Sequence, residues 1–378
     1  MGFTFQFILK LIATMLLSVI LTPLLKLLSF KIGAVDRPGE RRINDKTMPT
    51  AGGLSIFISF TAAVLWEFGD MLDAQRVWPM LLSAVIIVLT GLADDIFELT
   101  PGQKMLGIIV ASLVIYFVGD IAIDTMTIPF IGSLQLDWLS LPMTLLWILA
   151  ITNAVNLIDG LDGLACGVSV IALVTIGLIS YFFLPINGVP LAIMIFSLVA
   201  AIAGFFPYNF HPATIFLGDT GALFLGFMIS VFSLQGLKNA TFISVLTPMF
   251  ILGVPITDTI YAILRRYFNK TPISSADKMH LHHRLLSLGF THRGAVLTIY
   301  ALAMVFSLIA LLMNYASAWA ITLLVISTIF GLELFIELIG LVGENRQPLM
   351  QTLKFVGNRR HRQEVLKKTK HKNKHEKK

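Results

Sequence analysis

Long apolar runs, cut by short polar segments, recur along the chain from residue 5 to residue 342. Runs of roughly 17–25 apolar residues can cross the hydrocarbon core of a bilayer as helices. The pattern predicts eleven: Phe5–Leu28, Ala51–Phe68, Pro79–Ala93, Met105–Val118, Leu139–Ala154, Leu164–Leu184, Val189–Phe206, Gly221–Leu234, Phe242–Leu264, Ala295–Met313 and Trp319–Val342. The shorter runs extend into the polar segments that flank them. The first run is too long for a cleaved signal peptide and has no small-residue cleavage site after it. The expected fold is an all-α polytopic membrane protein, with 1–343 as the transmembrane body.

Lys and Arg in short loops set the orientation. With the N-terminus outside, the inner loops carry Lys31, Arg37, Arg41, Arg42, Lys46, Lys104, Arg265, Arg266, Lys270, Lys278, Arg284 and Arg293. The outer loops carry Arg76 and Lys238 alone. An odd number of spans then leaves the C-terminus in the cytoplasm.

Composition agrees with this layout. Of 378 residues, 56% are apolar and 13% charged, with a mean hydropathy of +0.83. Soluble domains average about 25% charged residues, so a soluble enzyme is excluded, and so is a largely disordered chain. The formal charge of +6 is unevenly spread. Residues 344–378 hold 12 Lys/Arg against Glu344, Glu364 and Glu376. That stretch reads as a basic, disordered tail held near anionic lipid. The remaining body is mildly acidic, which argues against a nucleic-acid partner. One cysteine, Cys166, leaves no internal disulfide.

The unusual polar residues collect in five segments, all on the inner side: 36–53, 93–104, 153–164, 205–221 and 265–285. Asp94 and Asp95 end the third run, Asp159 and Asp162 lie three apart, and Asp219 sits in Gly218-Asp219-Thr220-Gly221. Any one of these Asp residues would read as a helix cap as readily as a site residue. Five on one side of a low-dielectric boundary repel unless a cation lies among them. An oxygen-only donor set favours Mg²⁺, with Mn²⁺ as an alternative, bridging carboxylates to a phosphate. Lys46, Lys104, Arg41 and Arg42 are placed to neutralise a pyrophosphate, and Gly52-Gly53 is expected to allow close approach of backbone to a ligand. His280, His282 and His283 point to phosphate or sugar contacts, since a closed zinc site lacks its companion ligands here. Glu333 and Glu337, four apart in the last run, are functional candidates as intramembrane acids.

Taken in order, Asp94-Asp95, the Asn153–Leu164 run with its doubled Asp-Gly, Phe216-Leu217-Gly218-Asp219-Thr220-Gly221 and His280-Leu281-His282-His283 resemble the polyprenyl-phosphate N-acetylhexosamine-1-phosphate transferase family. The resemblance runs from about Asp36 to about Phe290. It implies a Mg²⁺-dependent enzyme of the bacterial plasma membrane, working at the cytoplasmic face, that joins a sugar-1-phosphate from a UDP-sugar to a polyprenyl phosphate and releases UMP. By the same resemblance Asp219 is the metal ligand, and Asp94 and Asp95 are the paired catalytic acids. Asn156, Asp159, Asp162, Asn209 and Phe216 surround metal and uridine, and Lys46 and Lys104 attend the phosphates. The histidines form a sugar- and phosphate-side loop. The family's third acid has its nearest counterpart in Glu98, four residues past Asp94.

The donor is expected from the histidine loop. Leu281 interrupts the histidines and Arg284 follows them, a pattern similar to the branch that uses UDP-N-acetylglucosamine to start teichoic acid or related glycans. Phospho-N-acetylmuramoyl-pentapeptide transfer is the alternative within the family. A transporter with an acidic inner mouth is the alternative outside it, but it predicts polar residues at the bilayer midplane and an internal repeat. A partner-recruiting assembly protein would leave the five segments unexplained. The oligomeric state stays open, a homodimer among the alternatives.

Overall fold

The structure, a computed structural model, describes residues 5–37, 46–128, 132–184, 188–235, 242–268, 270, 280–340 and 348–357. The elements run α1 (Phe5–Ile32), β1 (Val35–Asp36), β2 (Met48–Pro49), α2 (Gly53–Ala62), α3 (Ala74–Phe97), α4 (Pro101–Phe117), β3 (Thr125–Ile128), β4 (Gly132–Gln135), α5 (Ser140–Ile158), α6 (Leu164–Phe183), α7 (Gly188–Asn209), α8 (Gly218–Gln235), α9 (Phe242–Ile251), α10 (Gly253–Phe268), α11 (Leu281–Ser287), α12 (His292–Met313), α13 (Ala318–Ile339) and α14 (Pro348–Gly357).

Among the described residues, eight helices are long and apolar enough to cross a membrane: α1, α3, α5, α6, α7, α8, α12 and α13. Two further expected spans fall on shorter apolar helices, Gly53–Glu67 and Pro101–Phe117. The expected run Phe242–Leu264 is two helices, α9 and α10, separated at Leu252. Pro255 supplies the reason, because it has no N–H to donate to the Ile251 carbonyl. The chain is an all-α polytopic membrane protein with two small additions. β1 pairs with β2, and β3 pairs with β4 in antiparallel register from Thr125 opposite Gln135 to Ile128 opposite Gly132.

Local sequence explains the helix ends. Asp73 accepts from the Gln75 N–H at 3.0 Å to start α3, and Thr291 accepts from Gly294 at 3.1 Å to start α12. Within helices, buried hydroxyls return to the carbonyl one turn back, as Thr22 does to Ser18 at 2.7 Å and Ser83 to Pro79 at 2.9 Å. In lipid no water would satisfy them.

The chain divides into two units. The first comprises Met1–Ile260 and Thr291–Tyr315. At its centre stands α8, packed against α2, α3, α5 and α6, with 83% of its residues buried. By contrast α1 exposes Phe5, Ile8, Leu16, Ile20, Leu24 and Leu27, the surface expected of a helix facing acyl chains. Glycines let the backbones close around the start of α8. A Cβ on Gly53 would lie 2.2 Å from the Gly221 Cα, and one on Gly91 would lie 2.5 Å from the Thr220 Cα. The close approach that Gly52-Gly53 provides is therefore to the chain itself.

The second unit comprises Tyr261–Phe290 and Ala316–Lys378. In it α14 packs on α13, where the buried Glu337 carboxylate accepts the Leu349 N–H at 2.8 Å and the Met350 N–H at 2.6 Å. The expectation of an unstructured stretch from residue 344 is thus corrected over α14. The carboxylate satisfies otherwise orphaned donors of that helix's first turn. Residues 358–378 lie outside the described residues.

Gly53→Ala is expected to lower the thermal unfolding temperature in detergent, since an added methyl against backbone costs about 1–3 kcal/mol of overpacking. Gly102→Ala, where nothing lies within 4 Å of the added carbon, is the control. Equal unfolding temperatures for the two variants would contradict the close packing of α2 on α8.

Candidate active site

The site lies in the first unit, where α3 ends, α4 and α8 begin, and α5 runs out. Asp94 and Asp95 occupy the last turn of α3 but serve different partners. The Asp95 carboxylate turns to the amino end of α8. Its Oδ1 accepts the Asp219 N–H at 3.0 Å, and its Oδ2 accepts the Thr220 N–H at 3.0 Å and the Thr220 hydroxyl at 2.5 Å. It is a helix cap supplied from another helix, satisfying donors that α8 leaves unpaired in its first turn.

Asp94 is buried. Its Oδ1 accepts the Leu99 N–H at 2.7 Å and its Oδ2 pairs with Lys104. The chain can fold back to make the first of these contacts because Glu98, the residue after α3, is left-handed at φ 51°. Lys104 comes from the first turn of α4, whose start is marked by Thr100, Pro101 and Gln103. The Gln103 Oε1 accepts the Thr100 N–H at 2.9 Å, an arrangement typical of helix N-termini.

Lys104 also lies 3.4 Å from Asp219 Oδ1, so one ammonium group stands between two carboxylates. Asn156, on the last turn of α5, donates its Nδ2 to the same Asp219 oxygen at 2.5 Å. The Asp219 side chain keeps 30% of its surface exposed against 4% for Asp94. Of the two carboxylates that Lys104 joins, Asp219 is the more exposed.

Asp159 follows α5 directly. Burial pushes its carboxyl up to about 8, helped by the negative charges of Asp219, Asp95 and Asp162. Asp162 faces elsewhere. Its Oδ2 accepts the Ala213 N–H at 3.0 Å and meets His211 Nδ1 at 2.8 Å. Asn209 is buried and donates to the Ile215 carbonyl at 3.2 Å, closing the turn between α7 and α8. Phe216 is half-buried, its main chain stitched to the opposite segment by Phe216 N–H to Pro49 O at 2.8 Å and Gly52 N–H to Phe216 O at 3.2 Å. Lys46 is exposed, two residues ahead of β2. Arg41 and Arg42 lie outside the described residues.

The structure thus brings Asp94, Asp95, Lys104, Asn156, Asp159 and Asp219 together, with Asp162, Asn209 and Phe216 shaping the surrounding turns. The donor set is oxygen-rich and acidic, with Asp219 its outward member, and it fits a hard divalent cation.

His280, His282, His283 and Arg284 belong to the second unit. His280 and His282 are buried, with rings nearly parallel and centroids 6.0 Å apart, and His283 lies 4.2 Å from His282. Arg284 donates its Nε to the Ile339 carbonyl at 2.5 Å, at the end of α13 beside the left-handed Gly340. Glu333 of α13 accepts from the Tyr261 hydroxyl. Both acids of the last span therefore have partners within this unit, Glu337 through α14.

His211 and His292 meet Asp162, and Arg293 meets the His211 carbonyl. Each is a lone side chain in sequence, 49 and 130 residues from Asp162 for the two histidines, so no local spacing marks them.

The sequence profile of glycosyl transferase family 4 matches residues 77–237, which include Asp94, Asp95, Asp159, Asp162 and Asp219. A Bacillus subtilis (strain 168) protein named probable undecaprenyl-phosphate N-acetylglucosaminyl 1-phosphate transferase is 42% identical over 347 residues, covering 91% of this chain and 95% of that protein. The chain belongs to the polyprenyl-phosphate sugar-1-phosphate transferase family. More distant members include the decaprenyl-phosphate N-acetylglucosaminephosphotransferase of Mycobacterium tuberculosis (strain ATCC 25618 / H37Rv), 33% identical over 73% of this chain and 74% of that protein. The undecaprenyl-phosphate alpha-N-acetylglucosaminyl 1-phosphate transferase of Escherichia coli (strain K12) is 27% identical over 76% of this chain and 78% of that protein.

The raised carboxyl of Asp159 gives a pH dependence. In the folded chain it holds its proton up to about pH 8, whereas an unfolded Asp releases it near pH 3.9. The stabilisation is complete below the lower value and is lost as pH rises through the higher one. In divalent-free detergent solution, going from pH 5 to pH 8.5 should therefore lower the unfolding temperature of the wild type more than that of Asp159→Asn. Parallel curves would contradict the crowding of charge at Asp159.

Proposed function

We propose that this protein transfers N-acetylglucosamine-1-phosphate from UDP-N-acetylglucosamine to undecaprenyl phosphate and releases UMP, as the first membrane step of teichoic acid or a related glycan. The observation that carries the reading is the Lys104 ammonium held between Asp94 and Asp219, in a chain 42% identical to the Bacillus subtilis protein along nearly its whole length. The finer topology belongs to this reading too: eleven crossings, N-terminus outside, C-terminus and active site at the cytoplasmic face. Lys and Arg distribution supports it.

A lipid phosphate oxygen attacks the β-phosphorus of the UDP-sugar, a new P–O bond forms to the lipid, and the bond to UMP breaks. Phosphate monoesters are already ionised near neutral pH, so no strong base is needed. Asp94 then serves to hold Lys104 rather than to remove a proton, since its two oxygens are engaged by the Leu99 N–H and by that lysine. Lys104 neutralises charge on the pyrophosphate as its bridge opens. Asn156 fixes the rotamer of Asp219 through Oδ1, which aims the outward carboxylate. Phe216, half-buried beside this cluster, offers a ring face for the uracil. Asp219 would hold Mg²⁺, which when bound supplies charge neutralisation and orientation for the phosphates. Catalysis rests on positioning and electrostatics.

The test is UMP release by the purified protein with Mg²⁺, polyprenyl phosphate, and either UDP-N-acetylglucosamine or the UDP-muramoyl-pentapeptide. Turnover of the first is expected, with Asp219→Asn reducing it at least a hundredfold, about 2.7 kcal/mol of barrier. Efficient release from the pentapeptide nucleotide and none from UDP-N-acetylglucosamine would overturn the donor. Near-normal turnover by Asp219→Asn at saturating Mg²⁺ would overturn the role of Asp219.

A further inference from the structure

The turn from Asp159 to Gly163 joins α5 to α6 and carries two acids. Asp159 is buried among the charges of Asp219, Asp95 and Asp162. Asp162 instead enters a group of side chains with no role in the transfer described above. His211 Nδ1 lies 2.8 Å from its Oδ2. A carboxylate only accepts, so Nδ1 carries the proton. The main-chain N–H of Asp162 donates to His292 Nε2 at 3.1 Å, which puts the proton of a neutral His292 on Nδ1. The two imidazoles stack, centroids 4.1 Å apart and planes 16° from parallel.

The α12 helix makes two further contacts, one to the segment that carries His211 and one to the 159–163 turn. Arg293 donates to the His211 carbonyl at 3.0 Å through one nitrogen and at 3.3 Å through another. Tyr300 donates its hydroxyl to the Gly163 carbonyl at 2.6 Å. Gly163 is left-handed at φ 79°, so the turn adopts a conformation that an L side chain would resist.

We infer that His211 and His292 are positioning residues for the sugar-phosphate transfer, gripping Asp162 by side chain and by main chain so that Asp159 stays among the acids of the site. The inference rests on the transferase reading above. It follows from what the pair joins. Asp162 is three residues from Asp159, and Ala213, bonded to the same carboxylate oxygen, leads to Phe216 and Asp219 within six. Both ends of that grip therefore run into the reacting site.

One ligand atom each from Asp162, His211 and His292 lies within 4.8 Å of the others, which would also suit a metal ion. The geometry points to the grip instead. Stacked, nearly parallel rings carry their in-plane nitrogen lone pairs side by side rather than toward a common point, and both facing nitrogens are already hydrogen-bonded.

Paired amide substitutions test this without removing polarity. An Asn amide reaches the place of Nδ1 and a Gln amide the place of Nε2. His211→Asn and His292→Gln should keep kcat within threefold of wild type. His211→Gln and His292→Asn should lower it tenfold or more. The KM for the UDP-sugar and the unfolding temperature in detergent should stay within threefold and a few degrees for all four. Four equivalent variants, whether all active or all inactive, would overturn the inference. So would a loss carried by KM, or one that follows the unfolding temperature. One zinc per chain in the wild type, lost in all four variants, would replace the grip with a metal site. A wild type that releases no UMP from any UDP-sugar defeats the transferase reading instead, because the comparison among variants then has no activity to read.

Discussion

The Asp95 carboxylate beneath the amino end of α8 is the contact on which the site's geometry depends. Three donors from Asp219 and Thr220 converge on it, and a charged acceptor at a helix N-terminus is favoured by both the unpaired N–H groups and the helix dipole. This fixes the end of α3 to the start of α8. Asp94, the neighbouring residue in α3, must then point away from the cap, where Lys104 meets it. Asp219, held by its own main chain, must present its side chain outward to Asn156 and Lys104. Glycines complete the constraint: Gly53 and Gly91 let α2 and α3 press against Gly221 and Thr220 with no side chain between. A site with this many like charges needs such a frame, because each acid would otherwise repel the next.

The clustered acids divide by the partners that each carboxylate meets. Asp95 has both oxygens engaged by protein donors, Asp162 has its Oδ2 engaged by Ala213 and His211, and both shape the backbone. Asp94 holds a lysine. Asp219 accepts from Asn156 beside Lys104, and Asp159 is pushed toward its neutral form by burial and by the charges of its neighbours. Similar residue types thus do different work, decided by which donors reach each carboxylate.

Much of this was legible in the sequence, and what was not has a physical reason. The apolar runs marked the helices, because a membrane span needs a length of apolar residues whatever packs beside it. The clustering of Asp, Lys and Asn at one end of those runs marked the site. The partners of each acid were invisible, since Asp95 reaches Asp219 across 124 residues and His292 reaches Asp162 across 130. Gly52-Gly53 looked like a ligand-binding pair because close backbone approach reads the same from either partner. The contact of Arg284 Nε with the Ile339 carbonyl, 55 residues on, was equally invisible. The break at Leu252 and the helix after Pro348 both depend on local donors that hydropathy does not register.

Thermal unfolding of Asp95→Asn in detergent, measured beside Asp94→Asn, tests the central claim most directly. Losing a charged cap costs about 2 kcal/mol. The cap account predicts an unfolding temperature several degrees below wild type for Asp95→Asn and a smaller change for Asp94→Asn, where a buried negative charge is removed along with its ion pair. An Asp95→Asn protein as stable as wild type would contradict the claim that this carboxylate organises the site.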